Sequence, residues 1–588
     1  GRGHETYGED PYLTSRLGTR YIDGIQGKDE NVLKAAACTK HFAVHSGPEG
    51  IRHSFDAKVD QKDFWETYLY AFEKCIKNTH VEAVMGAYNR VNGEPACGSK
   101  TLLQDILRDR FGFEGHVTSD CWAIKDFYTG HMVCKTPLEA VALAMNNGCD
   151  VNCGDLFKNM KQAVDEGLVK ESRLDEALVR LFTTRYKLGI MEGQTTEFDK
   201  LSLTDVDTDA MKALNLKASL ESIVLLKNDK NFLPLDVKKI NTIGVIGPNA
   251  DNKKALVGNY EGTASRYETV LLGIEDFVGD DVRVMFSEGC HLYKDKVENL
   301  GQVNDRMSEV KGVCDNSDVI VCCVGLDAGL EGEEGDAGNA YASGDKKDLS
   351  LPGLQNEVLK CVLDSGKPVI VVLLAGSSLD LGYAKDKAAA VIYAGYPGAR
   401  GGKAVTDIIF GKANPSGKLP FTFYNTTEEL PPFTDYSMKG RTYRYMENEA
   451  QYPFGYGLGY SRFEVSDVSL PASCAEDRLD TDVEVGLTLE NKGDYDGAEV
   501  VQVYVASGEE GAPKYQLKAF KKIRLKAGEK KKVTLPLSRD SFEIVNEKGE
   551  FYVNKGKKYK VYIGISQPDK ESERLLGMKP AEKEFAVI

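Results

Sequence analysis

Three apolar stretches near the start of the chain each run into polar groups, and helical stretches separate them. Ala35-Ala36-Ala37-Cys38-Thr39-Lys40-His41-Phe42 finishes on Lys40-His41, and Val84-Met85-Gly86-Ala87-Tyr88-Asn89 on Tyr88-Asn89. Gly115-His116-Val117-Thr118-Ser119-Asp120 finishes on a carboxylate, ahead of Cys121-Trp122. Parallel strands need a crossover between them, so strands alternating with helices form βα units, and their chemistry gathers at the carboxyl ends. A lone Asp is ordinarily a turn or cap residue. At the third of three such strand ends, Asp120 becomes the candidate catalytic carboxylate, and a fourth strand end is expected near Asp150.

The chain has 588 residues and a formal net charge of -16. That length predicts three or four domains. The acidity argues against nucleic acid and anionic membrane as partners and suits a neutral sugar. No apolar run approaches the ~18 residues needed to span a bilayer. Self-association into a homo-oligomer stays open. Of the 13 cysteines, Cys322-Cys323 lies in an apolar strand-like run. Cys149 and Cys153 have no matching second pair or His cluster to make a metal site. All are read as reduced structural thiols, which points to a reducing, cytoplasmic compartment. The first residue is Gly1, which leaves export undecided.

The fold class read from these patterns is α/β and multidomain. Residues 1–190 alternate strand-like and helical segments, with helices over Gln61 to Asn78 and Asp155 to Leu188, as a partial (β/α)8 TIM-type barrel. Residues 191–215 are polar and read as a linker. Residues 216–425 carry buried strands at Ile240–Asn249, Asp318–Gly325, Pro368–Leu374 and Ala389–Ala394. Continuous apolar runs of this kind suit a parallel sheet covered on both faces, an α/β sandwich. Gly244-Val245-Ile246-Gly247-Pro248-Asn249 lacks the glycine order of a dinucleotide site. Residues 426–461 form a connecting segment, and 462–588 alternate at period two between turn signals, as an all-β sandwich.

Several stretches resemble glycoside hydrolase family 3, the β-glucosidases and β-xylosidases. They are Gly1-Arg2-Gly3-His4-Glu5-Thr6-Tyr7-Gly8-Glu9-Asp10-Pro11, Lys40-His41-Phe42, Met85-Gly86-Ala87-Tyr88-Asn89-Arg90-Val91-Asn92-Gly93 and Ser119-Asp120. The resemblance covers nearly the whole chain and implies a C-terminal fibronectin-type-III-like domain. It also implies that roughly the first three βα units of the barrel precede Gly1, so that this chain alone is expected to be poorly active and less stable than an extended one. Asp120 is then the nucleophile of a retaining glycosidase, which needs a second carboxyl ~5–5.5 Å away as acid and base. In the family this partner usually comes from a loop of the second domain.

The loop Gly325 to Asp336 holds five carboxylates in twelve residues, directly after a buried strand. Glu331, Glu333 and Glu334 are the candidates, and the family's Glu-x-Glu pattern favours Glu333. The Gly-x-Asp-Arg that often follows in relatives is replaced by an insertion ending in Gly344-Asp345-Lys346-Lys347. Lys40, His41 and, from the resemblance, Arg2 are expected to hold sugar hydroxyls. Tyr88 is expected to orient Asp120, and Trp122 to stack on a sugar ring.

The expected function is release of terminal non-reducing β-D-glucose or β-D-xylose from oligosaccharides, with no cofactor and no metal. The alternatives are an inactive fragment of such an enzyme, a β-N-acetylglucosaminidase using His53 with Asp56, or an α-L-arabinofuranosidase. Ser119-Asp120-Cys121 and Gly258-Asn259-Tyr260-Glu261-Gly262 resemble the xylosidase-like branch, but bacterial β-glucosidase-like proteins share them, so the sugar stays open.

Overall fold

The structure, a computed structural model, describes residues 3–296, 301–333 and 344–588. Strands β1 (Cys38–Phe42), β2 (Ala83–Gly86) and β3 (His116–Ser119) pair in parallel in that order. Val151 adds a parallel bridge to Thr118 at the far side of β3. The result is a half-barrel sheet whose inward residues, Phe42, Val84 and Val117 among them, are fully buried. Helix Pro11–Gln26 starts where Asp10 accepts the Leu13 amide at 2.7 Å, with Pro11 pre-set for the first turn.

The two helical stretches expected from periodicity are each interrupted. Between Gln61–Asp63 and Tyr70–Asn78 the chain widens into a π-turn at Phe64–Tyr68. Gly167, at φ +72°, separates the helix Met160–Asp165 from Glu171–Lys187. Asp150 is also not an open strand end. Its fully buried carboxylate takes Arg108 at 3.0 Å, Arg173 at 2.7 Å, Arg180 at 3.0 Å and the Val117 amide at 2.9 Å. Burial, and then the neighbouring Arg180, push the Arg108 guanidinium down to about 10. Asp150 therefore clamps the helix Glu171–Lys187 to the sheet.

A six-stranded sheet follows, built from β4 (Val224–Asn228), β5 (Thr242–Ile246), β6 (Arg283–Ser287), β7 (Val319–Gly325), β8 (Val369–Leu374) and β9 (Ala390–Tyr393). Its order is β4-β9-β8-β7-β5-β6, parallel throughout except for the antiparallel edge strand β4. β7, β8 and β9 are buried along their whole length, as their unbroken apolar runs require. β4 and β6, at the two edges, have mixed composition and gave no comparable signal. Residues expected as linker up to 215 are partly helical. Thr208 caps a helix over Asp209–Ser222, where the Thr hydroxyl accepts the Met211 amide.

β7 ends at Gly325, at φ +137°, where a Cβ would lie 2.0 Å from the Leu374 carbonyl. Only glycine fits, and the turn sends the acidic loop across toward the half-barrel.

The C-terminal region is a β-sandwich. One sheet holds Phe463–Ser469, Glu484–Asn491 and Lys530–Pro536; the larger holds Gly497–Ala506, Gln516–Leu525, Lys558–Gly564, Ala581–Val587 and the short Ser473–Cys474. Alternate residues of Glu484–Asn491 point into its core.

Contacts centred on three residues weld the parts together. The Tyr443 hydroxyl donates to Asp10 at 2.7 Å and accepts the Leu517 amide at 2.8 Å, joining half-barrel, connecting segment and sandwich in one line. Arg444 pairs with Glu66 at 2.7 Å, with side chains 1 % and 5 % exposed, so neither charge has water to fall back on. Asp540 of the sandwich accepts from Tyr70 at 2.5 Å and meets Lys74 at 2.6 Å and Lys518 at 3.7 Å.

Burial alone would raise the Asp540 carboxyl, but Lys518 and Lys74 hold it down at about 2. A carboxyl lowered from 3.8 to about 2 contributes about 2 kcal/mol of stability. That contribution is complete above pH 4 or so and is lost as pH falls toward about 2. Asp540→Ala should therefore lower Tm clearly at pH 7, and the gap to wild type should narrow in calorimetry below about pH 3.

Candidate active site

Asp120 follows β3 and is 8 % exposed. Its Oδ1 accepts the Cys121 amide at 2.7 Å, and its Oδ2 lies 3.2 Å from His41 Nε2, two strands away on β1. Ser119 steadies the turn, its hydroxyl accepting the Cys153 amide at 3.0 Å and the Asn152 side-chain amide at 3.3 Å. Trp122 stands at φ +67°, with its amide on the Cys153 carbonyl at 2.7 Å and its indole half exposed. A disulfide between Cys121 and Cys153 fastens the same two loops. Sequence reasoning expected both cysteines reduced, because their partners lie 32 residues apart with no spacing motif to join them. Only the approach of two strand ends brings them together.

Tyr88 links the two halves of the site. Burial, then the Asp120 charge, raise its phenol far above the usual range, and Glu333 adds to the effect. The hydroxyl stays protonated beside these carboxylates. The Arg52 guanidinium lies 4.5 Å from the ring centroid. Lys40 Nζ lies 3.4 Å from Glu5 and donates to the Tyr260 hydroxyl at 3.0 Å, with the Tyr260 ring 4.2 Å away.

The three glutamates of the acidic loop separate clearly. Glu331 is fully buried, and its oxygens accept the Gly376 amide at 2.7 Å and the hydroxyls of Ser377 and Tyr396. A carboxylate enclosed and tied down in this way anchors the loop and has no path to a substrate, which corrects its candidacy as acid/base. Glu333 is about one-third exposed (34 %). Its Oε1 accepts from the Tyr260 hydroxyl at 3.1 Å, and its Oε2 lies 3.6 Å from Arg52 Nη1. Glu334 and Arg2 lie outside the described residues.

The pairing of His53 with Asp56 that the β-N-acetylglucosaminidase alternative called for is replaced by other partners. His53 Nδ1 meets Asp126 at 2.7 Å, while Asp56 takes Lys58 at 2.7 Å and the Gly93 amide at 2.9 Å. Asp126 is on the helix after Trp122, a separation that sequence spacing does not reveal.

A cavity of about 670 Å³ opens beside the site. Glu5, Lys40 and His41 form one wall, and Lys346, Phe433 and Arg441 others; Asp120 lies beyond His41, outside this lining. Glu5, Arg52 and Tyr260 escaped the sequence-based set. Glu5 and Tyr260 sit within stretches singled out for their family likeness, whereas Arg52 gives no local signal. Among the described residues, no group of three or more His, Cys, Asp or Glu is arranged to hold a metal ion. No helix of the described residues is long and apolar enough to cross a membrane.

A strand-end carboxylate in a βα half-barrel, with a second carboxylate brought to the half-barrel's Arg52 by an adjacent α/β sheet, fits a glycosidase-type hydrolytic centre. Comparison with known proteins agrees. Residues 1–184 match the glycosyl hydrolase family 3 N terminal domain, 223–460 its C-terminal domain and 499–567 a fibronectin type III-like domain. A xylan 1,4-β-xylosidase of Xylanibacter ruminicola is 32 % identical over 98 % of this chain and 82 % of its own. β-D-xylosidase 1 of Arabidopsis thaliana is 33 % identical over 96 % of this chain and 76 % of its own. Among solved structures, the exo-β-xylosidase XlnD in complex with a xylobiose aziridine superposes with a TM-score of 0.88, at 28 % identity over 99 % of this chain and 76 % of its own. A β-glucosidase from Listeria innocua with isofagomine gives 0.84, at 29 % identity over all of this chain and 80 % of its own. The chain belongs to glycoside hydrolase family 3.

The disulfide makes a direct prediction. Closing a loop across a separation of 32 residues is worth ~3–4 kcal/mol in the chain-entropy treatment. Replacing Cys121 and Cys153 by Ser should lower Tm by several degrees. It should also lower kcat, because the Cys121 amide and the Cys153 carbonyl hold Asp120 and Trp122. Thermal unfolding and steady-state kinetics of the double variant check both.

Proposed function

We propose that the protein is an exo-acting, retaining β-glycosidase that releases terminal non-reducing sugars, β-D-xylose before β-D-glucose, from oligosaccharides. Asp120 attacks the anomeric carbon while Glu333 gives its proton to the departing glycosidic oxygen, leaving a covalent glycosyl–enzyme ester. Glu333, now ionised, takes a proton from water, the water attacks the same carbon, and Asp120 departs as carboxylate. The observation that carries this reading is the meeting of two strand-end carboxylates at the seam: Asp120 lies 3.2 Å from His41 in the half-barrel, and Glu333, on the loop after β7, reaches Arg52 of the half-barrel at 3.6 Å.

The Cys121 amide donating to Asp120, with His41 beside it, favours its ionised form, as a nucleophile needs. Lys40, oriented by Glu5, presents ammonium hydrogens to the sugar's hydroxyls, and the exposed face of Trp122 offers a stacking surface. The preference for xylose rests on the curated relatives, whose names are β-xylosidases. Carboxylates alone can perform this chemistry.

Asp120→Ala should lower turnover of aryl β-xylosides by at least about a thousandfold with Tm little changed. A 2-deoxy-2-fluoro xyloside should label Asp120, as read by peptide mass spectrometry. Label on another carboxylate, with the variant still active, would overturn the assignment.

Glu333→Ala should cripple disaccharide hydrolysis while sparing dinitrophenyl glycosides, which need little protonation. Azide should restore its turnover and yield a glycosyl azide. Activity compared on 4-nitrophenyl β-xyloside and β-glucoside tests the choice of sugar.

A further inference from the structure

The Tyr260 hydroxyl makes two hydrogen bonds, each to a different part of the fold. Lys40, on β1 of the half-barrel, donates to it at 3.0 Å, and it reaches Glu333 Oε1, on the loop after β7, at 3.1 Å. An ammonium has only donors, so the phenol oxygen must accept from Lys40. Its single proton then goes to Glu333, and the chain runs one way, from Lys40 through Tyr260 to Glu333. A carboxyl keeps acceptor capacity whether it is protonated or ionised, so this bond suits both halves of the reaction.

The loop that carries Tyr260 is stitched to the half-barrel at successive residues. Asn259 donates to Glu5 at 3.1 Å, and Glu5 in turn lies 3.4 Å from Lys40. At Gly258 a Cβ would lie 3.0 Å from the His4 ring, closer than side chains ordinarily pack. β5, which leads toward this loop, pairs with β7, so the segments carrying Tyr260 and Glu333 leave neighbouring strands.

The Tyr260 backbone stands at φ +63°, a left-handed conformation that a bulky residue keeps only where its surroundings impose it. Its side chain is no part of a core, because the residue is 72 % exposed. What fixes it is the pair of polar contacts at its tip and the Lys40 ammonium 4.2 Å from the ring centroid.

We propose, resting on the reading of Glu333 as acid/base, that Tyr260 is a positioning residue that aims the Glu333 carboxyl at a sugar gripped by Lys40. Arg52 faces Oε2 at 3.6 Å and Tyr260 bonds Oε1, so the carboxyl plane is set from two sides. Proton transfer needs donor and acceptor within hydrogen-bond reach, and a carboxyl that swings loses rate even while it stays in the cleft. One phenol thus ties the proton donor to the lysine that holds the sugar.

Tyr260→Phe in the full chain removes the hydroxyl and keeps the ring. Its kcat/KM on β-1,4-xylobiose should fall about tenfold, the scale of one lost hydrogen bond to a carboxylate. On a dinitrophenyl β-xyloside kcat/KM should stay within about twofold, because that leaving group needs little protonation. The comparison is between substrates within one variant, so a change in the fraction folded cancels. In a Glu333→Ala background, read at high enzyme concentration, the same substitution should cost at most about twofold on xylobiose, since nothing is left to position. A direct grip of Tyr260 on the substrate, or general damage to the site, would lower both substrates alike and would persist without Glu333. Either result overturns the proposal, as does a Tyr260→Phe enzyme that matches the wild type on xylobiose. Glu333→Ala alone separates the two readings. Impairment rescued by azide, with no selective loss in Tyr260→Phe, rejects the positioning role and leaves the acid/base standing, whereas full activity of Glu333→Ala rejects the acid/base assignment itself.

Discussion

The candidate site depends on one buried carboxylate that does no chemistry. Glu331 is sealed from water and saturated by the Gly376 amide and the hydroxyls of Ser377 and Tyr396, all contributed by segments beyond β8 and β9. A buried charge is tolerable only when its lone pairs are occupied, and each bond to it is stronger for lack of competing water. Such a joint gives the loop after β7 a fixed path. Two residues later Glu333 emerges into the cleft, next to side chains of the half-barrel. Without that anchor, an acidic loop would repel itself into solvent.

The half-barrel supplies the complementary rigidity. Asp150 draws in three arginines behind β3, and the Cys121–Cys153 bridge fastens the turn in front of it. Asp120 is thus held between two fixed points, with Tyr88 and His41 at its sides. The wider scaffold is tied by buried polar contacts at Tyr443, Arg444 and Asp540, where removing one partner strands the other.

Much of this was legible in the residue order. The fully buried strands β7, β8 and β9 announced themselves as unbroken apolar runs, and the period-two segments of the C-terminal sandwich as alternation. The edge strands β4 and β6 did not, because an edge strand faces water on one side and lacks a uniform pattern. The site was half visible. Asp120, Lys40, His41 and Tyr88 lie at strand ends, where position itself is a signal. Choosing among Glu331, Glu333 and Glu334 required burial, which composition does not encode in a loop. Arg52 and the partnership of His53 with Asp126 are purely tertiary, and so is the disulfide. Each joins segments whose proximity is decided by how strands and helices pack.

The carboxylates assigned here to attack and to protonation stand on separate sheets, one after β3 and one after β7. The side chains beside Asp120 come largely from the half-barrel, while Tyr260 and Glu333 arrive from the other sheet. On that assignment, the groups around the attacking carboxylate and those around the proton donor are written largely in different stretches of sequence. A lineage can alter one vocabulary without rewriting the other, provided that the contacts of Arg52 and Lys40 across the seam are retained. Chimeras of related enzymes joined in the segment between the two sheets would exchange leaving-group tolerance while inheriting sugar preference intact.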